Sequence, residues 1–350
     1  YGLLIYMWLL YSYVRSSSSI EHNGEVRLVI QIPCLNEAAT LPQTLRALPR
    51  DVAGFDEVLW LVIDDGSTDT TAEVARQNGA DVVVSLTQNK GLAIAFQAGL
   101  DAALKLGADV IVNTDGDNQY FADDIKKLIE PIVDGRADLV IGSRDIANHN
   151  EFSKSKKRLQ RLGSWVVRQA SKTDVADVTS GFRAYSREAA MTVNVVSRFT
   201  YTLETVIQAG RSDLAVVDVP VRVNKTTRPS RLFRSKRQYV RRSAGTILRI
   251  YAMHEPIKVF ALPAILLASV GSILFGRFAW FFCTSDGSGH VQSLIVGAVC
   301  LVLAFQLLML GILGDLLRAN RVISERILKR VRSIELQAGA QIFDSEDRLL

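Results

Sequence analysis

Cysteine is scarce: Cys34, Cys283 and Cys300 are the only three in 350 residues, too few and too scattered for a disulfide framework or a zinc site. Their free thiols fit a reducing, cytosolic setting. No G-x-G-x-x-G follows the first apolar run and no G-x-x-x-x-G-K-[ST] occurs anywhere, which excludes a nicotinamide dehydrogenase and a P-loop NTPase. Charge is ordinary, 22% of residues with a formal net charge of +5, while 48% are hydrophobic. A mean hydropathy of +0.16 at that charge requires the apolar residues to lie in blocks, and it excludes a disordered chain.

Two such blocks lie near the C-terminus. Residues 257–282 carry only Lys258, at their start, and Arg277 as charges, and residues 291–317 carry Gln306 and Asp315. Each exceeds the roughly 20 residues a helix needs to cross the hydrocarbon core. The connector 283–290 has no Lys or Arg, whereas the sequence before the first block and after the second is rich in both. The positive-inside rule therefore expects an integral membrane protein with its bulk and its C-terminal tail cytoplasmic. Residues 1–24 form an apolar N-terminal segment and linker; the apolar part, residues 1–14, is too short to span by itself and is expected to associate with the membrane, as an interfacial anchor or the end of a third spanning helix.

From residue 25 to 223 the pattern changes to short apolar runs at 26–32, 58–63, 81–85, 110–113 and 139–142, which read as buried parallel strands. Between them, Thr40-Leu-Pro-Gln43 and Thr70-Thr-Ala-Glu73 have capping-box spacing, and Gly79 and Gly107 fall where C-terminal glycines belong. This alternation predicts an α/β fold with a doubly wound, mostly parallel sheet, whose ligands bind at the carboxyl ends of the strands. The expected organisation is a catalytic domain over 25–223, a basic juxtamembrane segment over 224–256, two transmembrane helices over 257–317 and a tail over 318–350.

Polar residues concentrate at the expected strand ends, as Pro33-Cys-Leu-Asn-Glu37, Asp64-Asp-Gly-Ser-Thr-Asp69 and Asp115-Gly-Asp-Asn-Gln119. A carboxylate-rich crevice without a glycine phosphate cradle points to a divalent metal that neutralises phosphates. Asp115 and Asp117 flank a glycine, so one turn can bring both to a single ion, and one or two carboxylates with phosphate and water is how magnesium is usually held.

Asn89-Lys-Gly91, Gly142-Ser-Arg144 and Ser180-Gly-Phe-Arg183 complete an ordered set. Together these motifs resemble the family 2 inverting glycosyltransferases of the GT-A fold, and within them the polyprenyl-phosphate glycosyltransferases typified by dolichyl-phosphate mannose synthase. The resemblance implies that Pro33, Asn36, Glu37, Asp64 and Asp65 wall the nucleotide pocket, that Lys90 approaches the base or phosphates, and that Asp115 also meets the donor. It further implies a Mg²⁺ or Mn²⁺ site at Asp115, Asp117 and Gln119, and an acceptor-phosphate site at Arg144, Arg161 and Arg183. Lys225 and Arg231 fall where these enzymes carry phosphate-binding cations. One departure is that no acidic residue directly precedes Phe-Arg, although Asp177 is near in sequence.

Residues 154–172 and 225–242 are rich in Lys and Arg and contain no Asp or Glu. Beside membrane helices such segments gain roughly 1 kcal/mol per cation from anionic lipid, and no nucleic-acid module accompanies them. The expected partners are thus a UDP- or GDP-linked sugar, an undecaprenyl or dolichyl phosphate, and the membrane, with homo-oligomerisation left open. The expected reaction is metal-dependent, inverting sugar transfer at the cytoplasmic face, with Asp115, Asp117, Arg144 and Arg183 as the catalytic group. A processive polysaccharide synthase is the alternative of the same fold. Its Gln-x-x-Arg-Trp element precedes none of Trp8, Trp60, Trp165 or Trp280. A non-catalytic nucleotide-sugar-binding membrane subunit is the other alternative, and it has no reason to keep the Asp115/Asp117 pair.

Overall fold

A computed structural model of the chain describes residues 25–144, 171, 173–195, 201–224, 245, 249, 251–253, 255–284 and 291–346. These form two compact units, one holding the sheet, its helices and the end of the last helix from Glu335, the other the long helices up to Ile334.

The first unit is a seven-stranded sheet in the order β3-β2-β1-β4-β6-β5-β7. Its strands are β1 (Arg27–Cys34), β2 (Glu57–Asp64), β3 (Val82–Ser85), β4 (Val110–Asn113), β5 (Leu139–Arg144), β6 (Arg183–Ser186) and β7 (Val216–Val221). The helices are α1 (Leu41–Ala47), α2 (Thr71–Gln77), α3 (Leu92–Lys105), α4 (Ile125–Val133), α5 (Arg187–Thr192) and α6 (Thr202–Arg211). β1 and β4 are apolar along their length because both faces are covered, and Leu28, Ile30, Ile32, Val62, Val112 and Leu128 are buried in one cluster. Only β6 runs against its neighbours, pairing antiparallel with β4 and β5. The doubly wound, mostly parallel expectation is met.

Gly79 and Gly107 end α2 and α3 as expected. Both have positive φ, and the pairs of bonds Gly79 N–H to Arg76 O with Ala80 N–H to Ala75 O, and Gly107 N–H to Leu104 O with Ala108 N–H to Ala103 O, are Schellman closures. The two capping boxes do not form. The Thr40 hydroxyl is drawn to the Glu37 carboxylate at 2.7 Å, and at α2 the Asp69 carboxylate accepts the Thr71 N–H at 3.0 Å in place of Thr70.

The second unit contains α7 (Pro256–Thr284) and, up to Ile334, α8 (Val291–Glu346). Both are long and apolar enough to cross a membrane, with mean hydropathies of 2.2 and 2.6 over windows that are only 11% and 17% buried. A core helix of a soluble protein would hide most of that surface. The two pack through small residues, Gly271 facing Gly297 and Leu301, and Pro256 facing Gly314. The boundary expected at residue 317 is not a helix end. No proline interrupts α8, and Arg321 pairs with Glu325 at 2.7 Å one turn on, so the helix continues where the apolar run stops.

Candidate active site

Sheet register brings the sequence motifs to one edge. Cys34 pairs with Asp64 across β1 and β2, Gln31 with Asn113 across β1 and β4, and Asn113 with Arg183 across β4 and the antiparallel β6. The carboxyl ends of the parallel strands and the segment entering β6 therefore share that edge, where open α/β sheets bind ligands.

The turns after β1 and β2 are cross-linked. Asn36, in the left-handed region at φ 55°, accepts the Thr68 N–H on Oδ1 at 2.8 Å and donates its own N–H to Ser67 Oγ at 2.9 Å. The Glu37 N–H reaches Thr71 Oγ1 at 2.9 Å, and Asp64 Oδ1 accepts the Ser67 N–H at 2.9 Å. Pro33 is buried at the end of β1. Asp65 is expected beside Asp64 at the base or ribose, and the structure shows how it is held. It is buried, and its two oxygens accept the N–H groups of Lys90 and Gly91 at 2.8 and 2.9 Å. Two amides satisfy the carboxylate, so Asp65 frames the pocket by holding the 89–91 loop, while the Lys90 side chain is exposed.

The acidic turn after β4 is anchored by Thr44, whose hydroxyl donates to the Gly116 carbonyl at 3.0 Å, and by Asp117 Oδ1, which accepts the Gln119 N–H at 3.1 Å. Burial and then the Asp117 charge raise the Asp115 carboxyl, Arg144 opposes and Glu37 adds, leaving it at about 7. Such crowding of negative charge is what a divalent cation relieves. Among the described residues no three His, Cys, Asp or Glu side chains converge as a ready metal cage. Asp115 and Asp117 fit the looser arrangement, two carboxylates with the other positions taken by phosphate and water.

Arg144 leaves the end of β5 and meets Asp177: Nε donates to Oδ2 at 2.7 Å and one Nη to Oδ1 at 3.2 Å, with Thr179 Oγ1 at 3.0 Å from the same Nη. Burial pushes the Asp177 carboxyl up, but the Arg144 charge and hydrogen bonds outweigh it and hold the group below the usual carboxylate range. Arg183, expected at the acceptor phosphate, is fully buried. Its guanidinium donates to Ser180 O and Val178 O, each at 2.8 Å, and to Thr205 Oγ1 at 2.6 Å. It is turned into the protein, where it braces the 178–180 turn.

Behind the acidic turn lies a buried polar network that motif spacing did not single out. Asn113 takes the Gln31 amide on Oδ1 at 2.9 Å and donates to Gly181 O at 2.7 Å and Tyr201 Oη at 3.0 Å, while the Gly181 N–H meets Tyr120 Oη at 3.2 Å. A polar Gln31 and Asn113 inside apolar strands were its visible trace. Arg161, Lys225, Arg231 and the segment 1–24 lie outside the described residues.

Residues 29–193 match the family described as glycosyl transferase family 2. A UDP-N-acetylglucosamine–dolichyl-phosphate N-acetylglucosaminyltransferase of Methanococcus voltae is 30% identical over 213 residues, 55% of this chain and 83% of that protein. An undecaprenyl-phosphate mannosyltransferase of Micrococcus luteus is 30% identical over 206 residues, 56% of this chain and 83% of that one. Among solved structures, glucosyl-3-phosphoglycerate synthase from Mycobacterium tuberculosis, in complex with Mn²⁺, uridine diphosphate and phosphoglyceric acid, superimposes with a TM-score of 0.50. That likeness covers 65% of this chain and 79% of the other at 20% identity, and it concerns the fold.

Proposed function

From the premise that the chain belongs to glycosyl transferase family 2 and is a GT-A glycosyltransferase using a nucleotide sugar, we propose that its acceptor is a polyprenyl phosphate at the cytoplasmic membrane face and that transfer inverts the anomeric carbon. The observation that carries the reading is that Asp115 lies within electrostatic reach of both Asp117 and an oriented cation, Arg144, in a chain that also has two exposed apolar helices. The dolichyl- and undecaprenyl-phosphate acceptors named for the relatives support it.

A lipid monophosphate carries about −1.5 to −2 charges at pH 7 and needs no base to become a nucleophile. One phosphate oxygen attacks the anomeric carbon as the bond to the nucleotide diphosphate breaks on the opposite face. The demand on the protein is charge compensation and position. Arg144, held by Asp177 and Thr179, supplies a fixed cation on the acceptor side, and Arg161, Lys225 and Arg231 are the further cations this reading assigns there. Asp177 is a poor general base, because both oxygens already accept from Arg144 and its carboxyl stays ionised. Asp115, Asp117 and Gln119 would hold Mg²⁺ or Mn²⁺, which supplies charge neutralisation at the diphosphate leaving group. Asp64, Asn36 and Glu37 would line the nucleotide pocket.

In this reading 25–223 is the catalytic domain, 224–256 lies at the bilayer surface, and the connector 283–290 faces the non-cytoplasmic side. The test is to incubate the protein in lipid nanodiscs with UDP- and GDP-sugars, polyprenyl phosphate and Mg²⁺ or Mn²⁺, and to identify the glycolipid and its anomeric configuration. A retained anomer, or transfer that ignores lipid phosphate, would refute the assignment. An impermeant thiol reagent should label a cysteine at Ser288 but not at Ser333 from outside, in a background lacking Cys283 and Cys300.

A further inference from the structure

The acidic turn after β4 has little regular structure of its own. It runs from Asn113 to the short 3₁₀ helix Ala122–Asp124 and contains Asn118 in the left-handed region at φ 54°. Asn tolerates that conformation better than most residues, but a turn of this kind holds its shape only if something outside it takes up its carbonyl groups.

One residue takes up three of them. Asn224 donates its side-chain Nδ2 to Asn118 O at 2.9 Å and to Tyr120 O at 3.3 Å, and its backbone N–H to Gln119 O at 2.8 Å. The surrounding chain reinforces the match. Tyr120 and Val223 form an antiparallel bridge, and the Phe121 N–H donates to Arg222 O at 3.3 Å. Arg222 in turn gives its N–H and its guanidinium to Asp124, and lies over the Phe121 ring at 3.9 Å. Residues 222–224 are thus laid antiparallel against 118–121 and clamp the turn that contains Asp117 and Gln119.

We propose that Asn224 is a positioning residue for nucleotide-diphosphate binding, acting through the shape it imposes on the Asp115–Gln119 turn. The inference rests on the reading that this turn meets the donor diphosphate and its metal. A carboxamide suits the place because its two N–H donors face two carbonyls two residues apart. An aspartate of the same shape would set a negative oxygen against both carbonyls, forcing the turn away. Asn224 also directly precedes Lys225, so the same bonds fix the root of the basic segment relative to the acidic turn.

The experiment compares Asn224→Asp and Asn224→Ala with the full-length parent in nanodiscs. Three quantities are read: the affinity for UDP and GDP with Mn²⁺ by titration calorimetry, the melting temperature without nucleotide or metal, and the donor KM and kcat. Asn224→Asp is expected to weaken binding of whichever nucleotide the parent takes by tenfold or more, and Asn224→Ala by less, since Ala keeps the backbone bond to Gln119. The nucleotide-free melting temperature should move only a few degrees, and donor KM should rise more than kcat falls. Should Asn224→Asp fail to fold, Asn224→Ala carries the same comparison. Unchanged nucleotide affinity in Asn224→Ala, with or without a lowered melting temperature, would overturn the inference. Parent protein that binds nucleotide without glycosylating lipid phosphate would refute the acceptor assignment alone, and the Asn224 comparison would stand on nucleotide affinity.

Discussion

Asp177 grips Arg144 through both carboxylate oxygens, and the pair is nearly closed off, with Asp177 1% and Arg144 19% exposed. A bidentate partner fixes the plane of a guanidinium as well as its place. The base-free mechanism by itself would make Asp177→Asn mild. The structure gives Asp177 a larger part, because Asn can satisfy only one side of the fork. Asp177→Asn is therefore expected to lower kcat about tenfold to a hundredfold with donor affinity nearly unchanged, a change of roughly 1.4–2.7 kcal/mol in barrier. It should not be rescued by raising the pH, and recovery at high pH would show Asp177 acting as a base.

Arg183 should behave as a structural residue. Arg183→Ala removes the donors to Ser180 O, Val178 O and Thr205 Oγ1 in a fully buried place. Each buried acceptor left unsatisfied costs about 1–3 kcal/mol, so a loss on the order of 3 kcal/mol or more is expected. In thermal unfolding this is a drop of about 6–12 °C for a domain of this size. An unchanged melting temperature with a selective loss of acceptor binding would return Arg183 to the acceptor phosphate.

The strands were legible because a strand covered on both faces shows a continuous apolar run, and the parallel order follows from those runs alternating with helices. β6 and β7 both hid from this criterion, β6 being four residues long with the charged Arg183 turned inward, and β7 being mostly half-buried and broken by Asp218 and Pro220. Motif spacing located Asp65 and Arg183 at the right edge of the sheet but said nothing of where their side chains point. Direction is decided by partners distant in sequence, Lys90 and Gly91 for one and Thr205 for the other. The capping boxes failed for a local reason instead: the Glu37 carboxylate takes the Thr40 hydroxyl, and the Asp69 carboxylate takes the Thr71 N–H beside Thr70. At α8, hydropathy marked where the apolar surface stops, which is a different event from the end of a helix.

Acid should weaken the clamp at residues 222–224 in a defined window. Burial raises the Asp124 carboxyl, but the Arg222 side chain and N–H and then Lys127 outweigh it and leave it at about 2. The unfolded value is about 3.9, so the folded state binds the proton less readily. The stability this confers is fully present above about pH 4 and is lost as pH falls toward about 2. Asp124→Asn should melt lower than the parent at pH 7 and lose less between pH 5 and pH 3. Parallel acid limbs for the two proteins would remove Asp124 from the account.

The spacing of the two acidic side chains depends on the residue between them. A Cβ added to Gly116 would lie 2.8 Å from Cys34 Sγ and 3.5 Å from Glu37 Cγ, nearer to the sulfur than real Cβ atoms come. Cys34 is buried at the end of β1, and burial followed by the charges of Glu37, Asp64, Asp115 and Asp117 pushes its thiol well up, so it acts there as a small packed group. A swing of this buried thiol would displace its own core neighbours, so the turn is expected to move instead. Gly116→Ala should therefore displace Asp115 and Asp117 together and lower the proposed metal-dependent transfer by about a hundredfold, roughly 2.7 kcal/mol in barrier. Cys34→Ala removes the obstructing atom and by itself should cost mainly stability, about 1 kcal/mol for the small cavity. In the double variant the two changes compensate sterically, so activity should recover to within about tenfold of the parent. Residues in contact show such coupling, and distant ones do not. Additive losses in the double variant would mean that Gly116 serves the turn through its backbone alone, and that the contact with Cys34 is not what sets the geometry of the acidic pair.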